Sequence, residues 1–434
     1  MHINVIGAGL AGAEVAYQIS KYGIKVKLYE MKPTVKTPAH KLNTFAELVC
    51  SNSLRSDRIE NAVGLLKREM EIVDSIIMNS AMKNRIPAGG ALAVDRVGFS
   101  ETVTEILKND KNIDIIEEEV GDIPENEITV IASGPLTSDK LANSISKLVK
   151  SDYLYFFDAA APIVMYDSID MNKVYVADRY GRGSSDYINC PMSKEEYDKF
   201  WNEITNAELA DLGTFEKEVH FQGCMPVEAI AKSGVDTLRF GPLKPVGLPD
   251  PRTGKEPYAV VQLRQDDKSA TMYNIVGFQT RLKWPEQKRV FSMIPGLENA
   301  EFVRYGVMHK NTFIESPKLL DNTYCMRDNE SIYFAGQMTG VEGYIESASS
   351  GMVAGINAAM KVLGKDKVLF GTDTATGALA NYVSHGQHKH FQPMNVNFGI
   401  IDSLDVRIKD KKERYTKIAE RAIESIEKIR RESL

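Results

Sequence analysis

The sequence predicts an α/β protein whose parallel, doubly wound sheet is interrupted by a mixed α+β insertion. Three observations carry this. Ile3–Ile6 is an apolar run followed by G-A-G-L-A-G at Gly7–Gly12, a helical stretch Glu14–Ser20 and a strand Lys25–Tyr29 closing on Glu30. That is a βαβ unit with a dinucleotide fingerprint in its first turn, the mark of a Rossmann-type domain. Two further strand–glycine patterns follow, at Ile128–Pro135 (I-T-V-I-A-S-G-P) and in the run Ile332–Ala359. Between them, from about Ser151, regular strand–helix alternation gives way to aromatic-rich strands and loops. A chain of 434 residues suggests two or three domains. The expected division is 1–150 and 306–434 as two segments of the dinucleotide-binding domain, with 151–305 inserted.

Each residue of the fingerprint has a physical task. Gly7 allows the tight turn, Gly9 lets the backbone approach a pyrophosphate, and Gly12 lets helix and strand pack closely. Ala8, Leu10 and Ala11 complete the turn into the helix, whose N-terminus directs N–H groups and a positive dipole end at phosphates. Glu30 stands where a carboxylate accepts hydrogen bonds from ribose hydroxyls. Gly134 follows a strand at the carboxyl edge of the sheet, where a crossing cofactor demands small residues; an ordinary strand–turn is the other reading.

Composition bounds the rest. The chain is 43% hydrophobic and 26% charged with net charge −6, which argues against bulk attraction to nucleic acid but not against a local basic patch. Cys50, Cys190, Cys224 and Cys325 are far apart with no metal-ligand spacing, so neither metal nor disulfide is expected. A strand beginning at Ile3 leaves no room for a targeting segment, and no run is long and apolar enough for a membrane span. The expectation is a soluble cytoplasmic protein.

Asn61–Ala81 reads as one helix with its two methionines in the core. Gly89-Gly90 marks a turn, Asp95-Arg96 a simple ion pair, and Phe99–Lys108 a helix capped by Ser100 or Thr102. Cys50 lies in F-A-E-L-V-C-S-N-S-L-R-S-D (Phe45–Asp57), a polar stretch suited to a loop over a cofactor; a packed small hydrophobe is the ordinary alternative. Cys224 lies in F-Q-G-C-M-P-V-E-A-I-A, just before an expected helix whose N-terminus favours thiolate, with a packed structural thiol as the other reading.

Arg179, Tyr180, Arg182 and Lys232 combine charge and aromatic rings as an RNA-facing surface does; taken singly, each is also an ordinary solvated residue. Arg239, Lys244 and Arg252 are expected to be exposed on a long Pro/Gly loop. Gly336, Gln337 and Gly340 form the last glycine loop before a helix. Glu342 and Glu346 beside it are catalytic or, more ordinarily, capping carboxylates. Asp405–Leu434 ends in a charged amphipathic helix, a solvated face or an oligomer contact.

Five stretches together resemble the TrmFO family, the folate- and FAD-dependent tRNA (uracil-5-)-methyltransferases related to GidA-type flavoproteins. They are Phe45–Asp57, Phe221–Ala231, L-R-F-G-P-L-K-P-V-G-L, V-Q-L-R-Q-D and Y-F-A-G-Q-M-T-G-V-E-G-Y. The resemblance covers essentially the whole chain. It implies a glutathione-reductase-like FAD-binding domain, 5,10-methylenetetrahydrofolate as carbon donor, NAD(P)H as reductant, and the T-loop uridine at position 54 of tRNA as target. It also implies that the flavin carries the methylene.

The implied chemistry has a cysteine thiolate adding to uracil C6, so that C5 becomes the nucleophile. Cys224 is assigned that attack, and Cys50 a place by the flavin. The target base must leave its stack to reach the site. Alternatives are the same chemistry on a ribosomal RNA uridine, a GidA-like wobble-uridine modification, against which the Cys50 stretch argues, and an RNA-binding flavoprotein without catalysis.

Overall fold

The computed structural model describes residues 2–37, 39–124, 126–150, 154–159, 161–181, 186–210, 225–306, 308–385 and 391–434. Short β-branched runs form a five-stranded parallel sheet in the order Ile332–Phe334, Thr129–Ile131, His2–Ile6, Lys25–Tyr29, Ile113–Ile116. Val5 is opposite Leu28 on one side and Val130 on the other. Thr129–Ile131 and Ile332–Phe334 are buried throughout, as strands covered on both faces must be.

The helix Leu10–Ser20 packs on the long helix Tyr344–Leu363. Gly351 and Gly355 make the close approach possible, because a Cβ on Gly355 would stand 2.9 Å from the Val15 carbonyl and one on Gly351 would collide with Ala11.

The expected single helix over Asn61–Ala81 is two, Ala62–Ile72 and Ile76–Lys83. Asp74 turns the chain at φ 62°, and the Ser75 hydroxyl caps the second helix by accepting from Met78 N at 3.2 Å. Met70 and Met78 are in the core as expected. The helix expected from Phe99 starts at Arg96 and is capped by Asp95, which accepts from Gly98 N at 2.7 Å. Ser100 and Thr102 instead donate to the carbonyls of Phe45 and Gly98.

A second core, built from residues between Val164 and Ala300, packs on a six-stranded antiparallel sheet. Its strands run in the order Tyr175–Val176, Tyr187–Met192, Ala259–Gln265, Met272–Ile275, Ile163–Met165, Phe302–Arg304. The first core draws on residues from Ile3 to Val149 and again from Phe313 to Ile426. Leu154–Ala159 and Met308–Phe313 pair antiparallel where the chain leaves the first core and returns to it.

The C-terminal helix Lys411–Ser433 buries Ile418, Ala419, Ala422 and Ile426 in the first core, so its apolar stripe is spent within the chain. Among the described residues no helix is long and apolar enough to cross a membrane.

Candidate functional site

Three glycine loops stand side by side at the carboxyl edge of the parallel sheet. Gly7 follows His2–Ile6, Gly134 follows the neighbouring Thr129–Ile131, and Gly336 follows Ile332–Phe334 next to that. Gly7 has φ +100°, and a Cβ there would lie 2.7 Å from the Ala132 carbonyl oxygen; one on Gly12 would run into the Gly7 carbonyl. Gly9 caps Leu10–Ser20 with no side chain on the free N–H groups, and nothing lies within 4 Å of where its Cβ would be. That gap, in front of uncapped helix N–H groups, fits a pyrophosphate.

Glu30 is buried. Its Oε2 accepts from Ala8 N at 2.9 Å and its Oε1 from Lys32 N at 3.0 Å, which fixes the carboxylate at the cleft wall. The cleft has Gly7, Gly9, Glu30, Lys32, Ser133 and Thr137 in its lining. Burial draws the Lys32 ammonium below the usual lysine range, while its Nζ donates to Thr44 O at 2.6 Å.

The last glycine loop closes on the first. Gly336 and Gly340 have φ +84° and +86°. A Cβ on Gly336 would touch that of Ala11 at 3.1 Å. Gly336 N donates to Ser350 Oγ at 2.7 Å, and Gln337 Nε2 to Glu342 Oε2 at 2.5 Å. Glu346 sits in the first turn of Tyr344–Leu363, accepting from Arg55 Nη1 at 2.9 Å and Val396 N at 3.2 Å. Burial raises its carboxyl and Arg55 opposes the rise. Both partners lie outside its own helix, so these bonds tie the helix start to two other segments.

The Cys50 loop abuts the same helix start. Tyr344 Oη accepts from Cys50 N at 2.7 Å and Ser51 N at 3.2 Å. Arg304 Nη1 donates to Val49 O and Nη2 to Cys50 O, each at 3.2 Å. Arg264, buried, donates to Asn52 Oδ1 at 3.1 Å and Ser51 Oγ at 2.7 Å. Asn52 Nδ2 returns a bond to Gln265 O at 2.9 Å. Arg96 reaches Leu48 O at 2.8 Å and Asp266 Oδ1 at 2.9 Å.

The expected Asp95–Arg96 ion pair is therefore not formed: Asp95 caps a helix and Arg96 bridges the two cores. The stretches around Cys50 and Arg264 were both visible in the sequence, but nothing in either said that they bond. Arg304 carried no local signal, and Tyr344, which ends the stretch Y-F-A-G-Q-M-T-G-V-E-G-Y, gave no sign of its bond to Cys50.

Cys50 is half-buried, whereas Cys190 and Cys325 are buried. Burial pushes the Cys190 thiol up strongly and that of Cys325 to about 11. Cys224 lies outside the described residues. The helix that follows it, Val227–Lys232, has six residues with Pro226 at its cap, a short source of dipole.

Of the basic and aromatic group, Arg182 lies outside the described residues, Lys232 is exposed and Tyr180 is 55% exposed. Arg179 is committed within the fold, donating to the carbonyls of Val246 and Lys244 and to Gln262 Oε1. Arg239 is half-buried over the Tyr258 ring at 3.7 Å. Lys244 is half-buried too, and exposed Arg252 is held by Asp250 at 2.7 Å.

Fold and cleft together define a Rossmann-type dinucleotide-binding protein. A family model described as glucose inhibited division protein A matches residues 2–366. A protein of Acetivibrio thermocellus called methylenetetrahydrofolate--tRNA-(uracil-5-)-methyltransferase TrmFO is 67% identical over 422 residues, 97% of each chain. Proteins of the same name from Bacillus velezensis and Streptococcus agalactiae are 59% and 61% identical, each aligned over 98% or more of both chains. The chain belongs to the GidA family and, within it, to the TrmFO group. The GidA structure from Aquifex aeolicus in its form II crystal superposes with a TM-score of 0.72 at 17% identity, covering 99% of this chain and 73% of that one; at that identity the likeness is one of fold.

Proposed function

We propose that this protein methylates C5 of a uridine in tRNA, with 5,10-methylenetetrahydrofolate as carbon donor and FAD as resident cofactor. The target is the T-loop uridine at position 54, the T-arm is the part of the tRNA engaged, NAD(P)H is the reductant consumed, and the reaction runs in the cytoplasm. The observation that carries the reading is identity of 59–67% along nearly the whole chain to enzymes of that name.

When bound and reduced, FAD supplies the hydride that turns the transferred one-carbon unit into a methyl group. The residues do the rest. The uncapped N–H groups after Gly9 hold the pyrophosphate, Glu30 orients a ribose, and the loops of Gly134 and of Gly336, Gln337 and Gly340 border the cofactor at the carboxyl edge of the sheet. The Cys224 thiolate adds to uracil C6, which makes C5 the nucleophile toward the one-carbon unit. After the C5 proton leaves to a base, the amine carrier of the one-carbon unit departs and leaves an exocyclic methylene on the ring. Hydride addition to that carbon makes the methyl, and the Cys224 thiolate is expelled as the ring double bond re-forms. Cys50, held against the start of Tyr344–Leu363, handles the one-carbon unit beside the cofactor. In this reading residues 1–150 and 306–434 are the cofactor domain. Residues 151–305 are the inserted domain that faces RNA.

The test is methyl transfer to unmodified tRNA from labelled methylenetetrahydrofolate, with NAD(P)H present and S-adenosylmethionine absent. Label is expected at uridine C5, and Cys224→Ala is expected to stop it while the protein stays yellow. Label confined to ribosomal RNA would move the reading to that substrate.

A further inference from the structure

Arg304 ends the edge strand Phe302–Arg304 of the antiparallel sheet and reaches across to the loop of the other core that carries Cys50. Two of its nitrogens are spent on the Val49 and Cys50 carbonyls. The third, Nε, is buried and meets no acceptor among the described residues. A buried cationic donor left without an acceptor is costly.

The groups facing Cys50 from each packed element are unequal in charge. Arg304, Arg264 and Arg96 bond residues 48 to 52 of its loop. Asp266 is the carboxylate among them, bound to Arg96 at 2.9 Å. Tyr344 contributes a hydroxyl whose ionisation burial opposes. Burial and Arg96 draw the Arg304 guanidinium down to about 10, with Asp266 and then Cys50 pulling the other way.

We propose that Arg304 is the positioning residue for Cys50: it fixes the peptide that carries the thiol and supplies the positive charge against which that thiol ionises. A thiolate at this place relieves the guanidinium's isolation, and the cation in turn favours thiolate over thiol. The inference rests on the reading that Cys50 works beside the cofactor, but its test uses no methyl transfer.

The experiment is the pH dependence of iodoacetamide alkylation in the FAD-bound protein, read on the Cys50 peptide by mass spectrometry. In the wild type the half-maximal rate is expected below the ordinary thiol value of about 8.5. Arg304→Gln keeps an amide donor but no charge, and should move the midpoint up by about one unit, a roughly tenfold slower reaction at neutral pH. Arg304→Lys keeps the charge and should hold the midpoint near wild type.

A purely structural role predicts that the Gln and Lys variants behave alike, which would overturn the proposal. So would a wild-type midpoint at or above the ordinary value, a result that needs no variant to fold. Loss of methyl transfer with the alkylation profile intact would count against the function and leave this assignment standing.

Discussion

The hydrogen bond that fixes the acid of the nucleotide cradle, from Ala8 N to Glu30, spans 22 residues of sequence. The bonds that hold the Cys50 peptide, from Arg304 and to Tyr344, span 254 and 294. Both regions border the same long helix, where Gly351 packs on Ala11 and Tyr344 bonds Cys50, yet one is assembled from neighbours and the other from widely separated stretches of the chain. A contiguous cradle can lose one residue and keep its fold. A clamp between two cores ties local geometry to the way those cores dock, so damage there should appear in stability first.

The largest expected effect is in the cradle. Gly9→Val meets no protein atom within 4 Å of its Cβ, so the chain should fold, but the isopropyl group fills the place of the pyrophosphate. The purified variant should be colourless with an unchanged far-UV circular dichroism spectrum. A yellow Gly9→Val protein would break the comparison on its cofactor side.

In the clamp, Arg264→Met removes the donors on which Asn52 Oδ1 and Ser51 Oγ depend. The cost should be about 2–3 kcal/mol, read as a lower midpoint in thermal or denaturant unfolding, with FAD retained. A variant as stable as wild type would mean that the inter-core bonds do not hold the loop.

A third contrast is a buried acid remote from both regions. Glu69 accepts from Ala375 N and Thr376 N at 2.7 and 2.8 Å and from Thr376 Oγ1 at 2.7 Å. Burial outweighs these bonds and raises its carboxyl to about 7. A carboxyl raised in the folded state binds its proton more tightly there than in the unfolded chain. Its contribution is therefore whole below about 4.5 and lost as pH rises through about 7, on the order of 3 kcal/mol. Unfolding free energies measured from pH 5 to 8 should show this decline, and Glu69→Gln should flatten it.

The smallest effect belongs to the surface. Arg289 pairs with Glu203 and Glu286 in the open, and Arg289→Ala should change stability by no more than about 0.5 kcal/mol.

What the sequence made legible follows the same divide. The strand Lys25–Tyr29, the glycine turn and Glu30 were readable because periodicity and spacing act over a few residues. The break at Asp74 was not, because Asp-Ser within an apolar pattern looks like helix until the left-handed turn and the Ser75 cap are seen together. Arg96 and Arg179 show why charged side chains resist such reading. A guanidinium has five donors, and any carbonyl brought near by the fold can take one. Arg96 looked like a local partner of Asp95 and instead spans two cores; Arg179 looked like an RNA contact and instead binds Lys244 and Val246. The stretches around Cys50 and Arg264 stood out as motifs, but their pairing is a property of how the cores dock, which no local pattern encodes.

The central claim is that the cradle and the Cys50 clamp serve one site. The visible spectrum of the flavin-bound protein before and after alkylation of Cys50, with Cys50→Ala treated alongside, tests it most directly. The flavin bands should shift in the wild type and stay unchanged in Cys50→Ala. Identical spectra before and after complete Cys50 alkylation would place the thiol away from the cofactor and contradict the account.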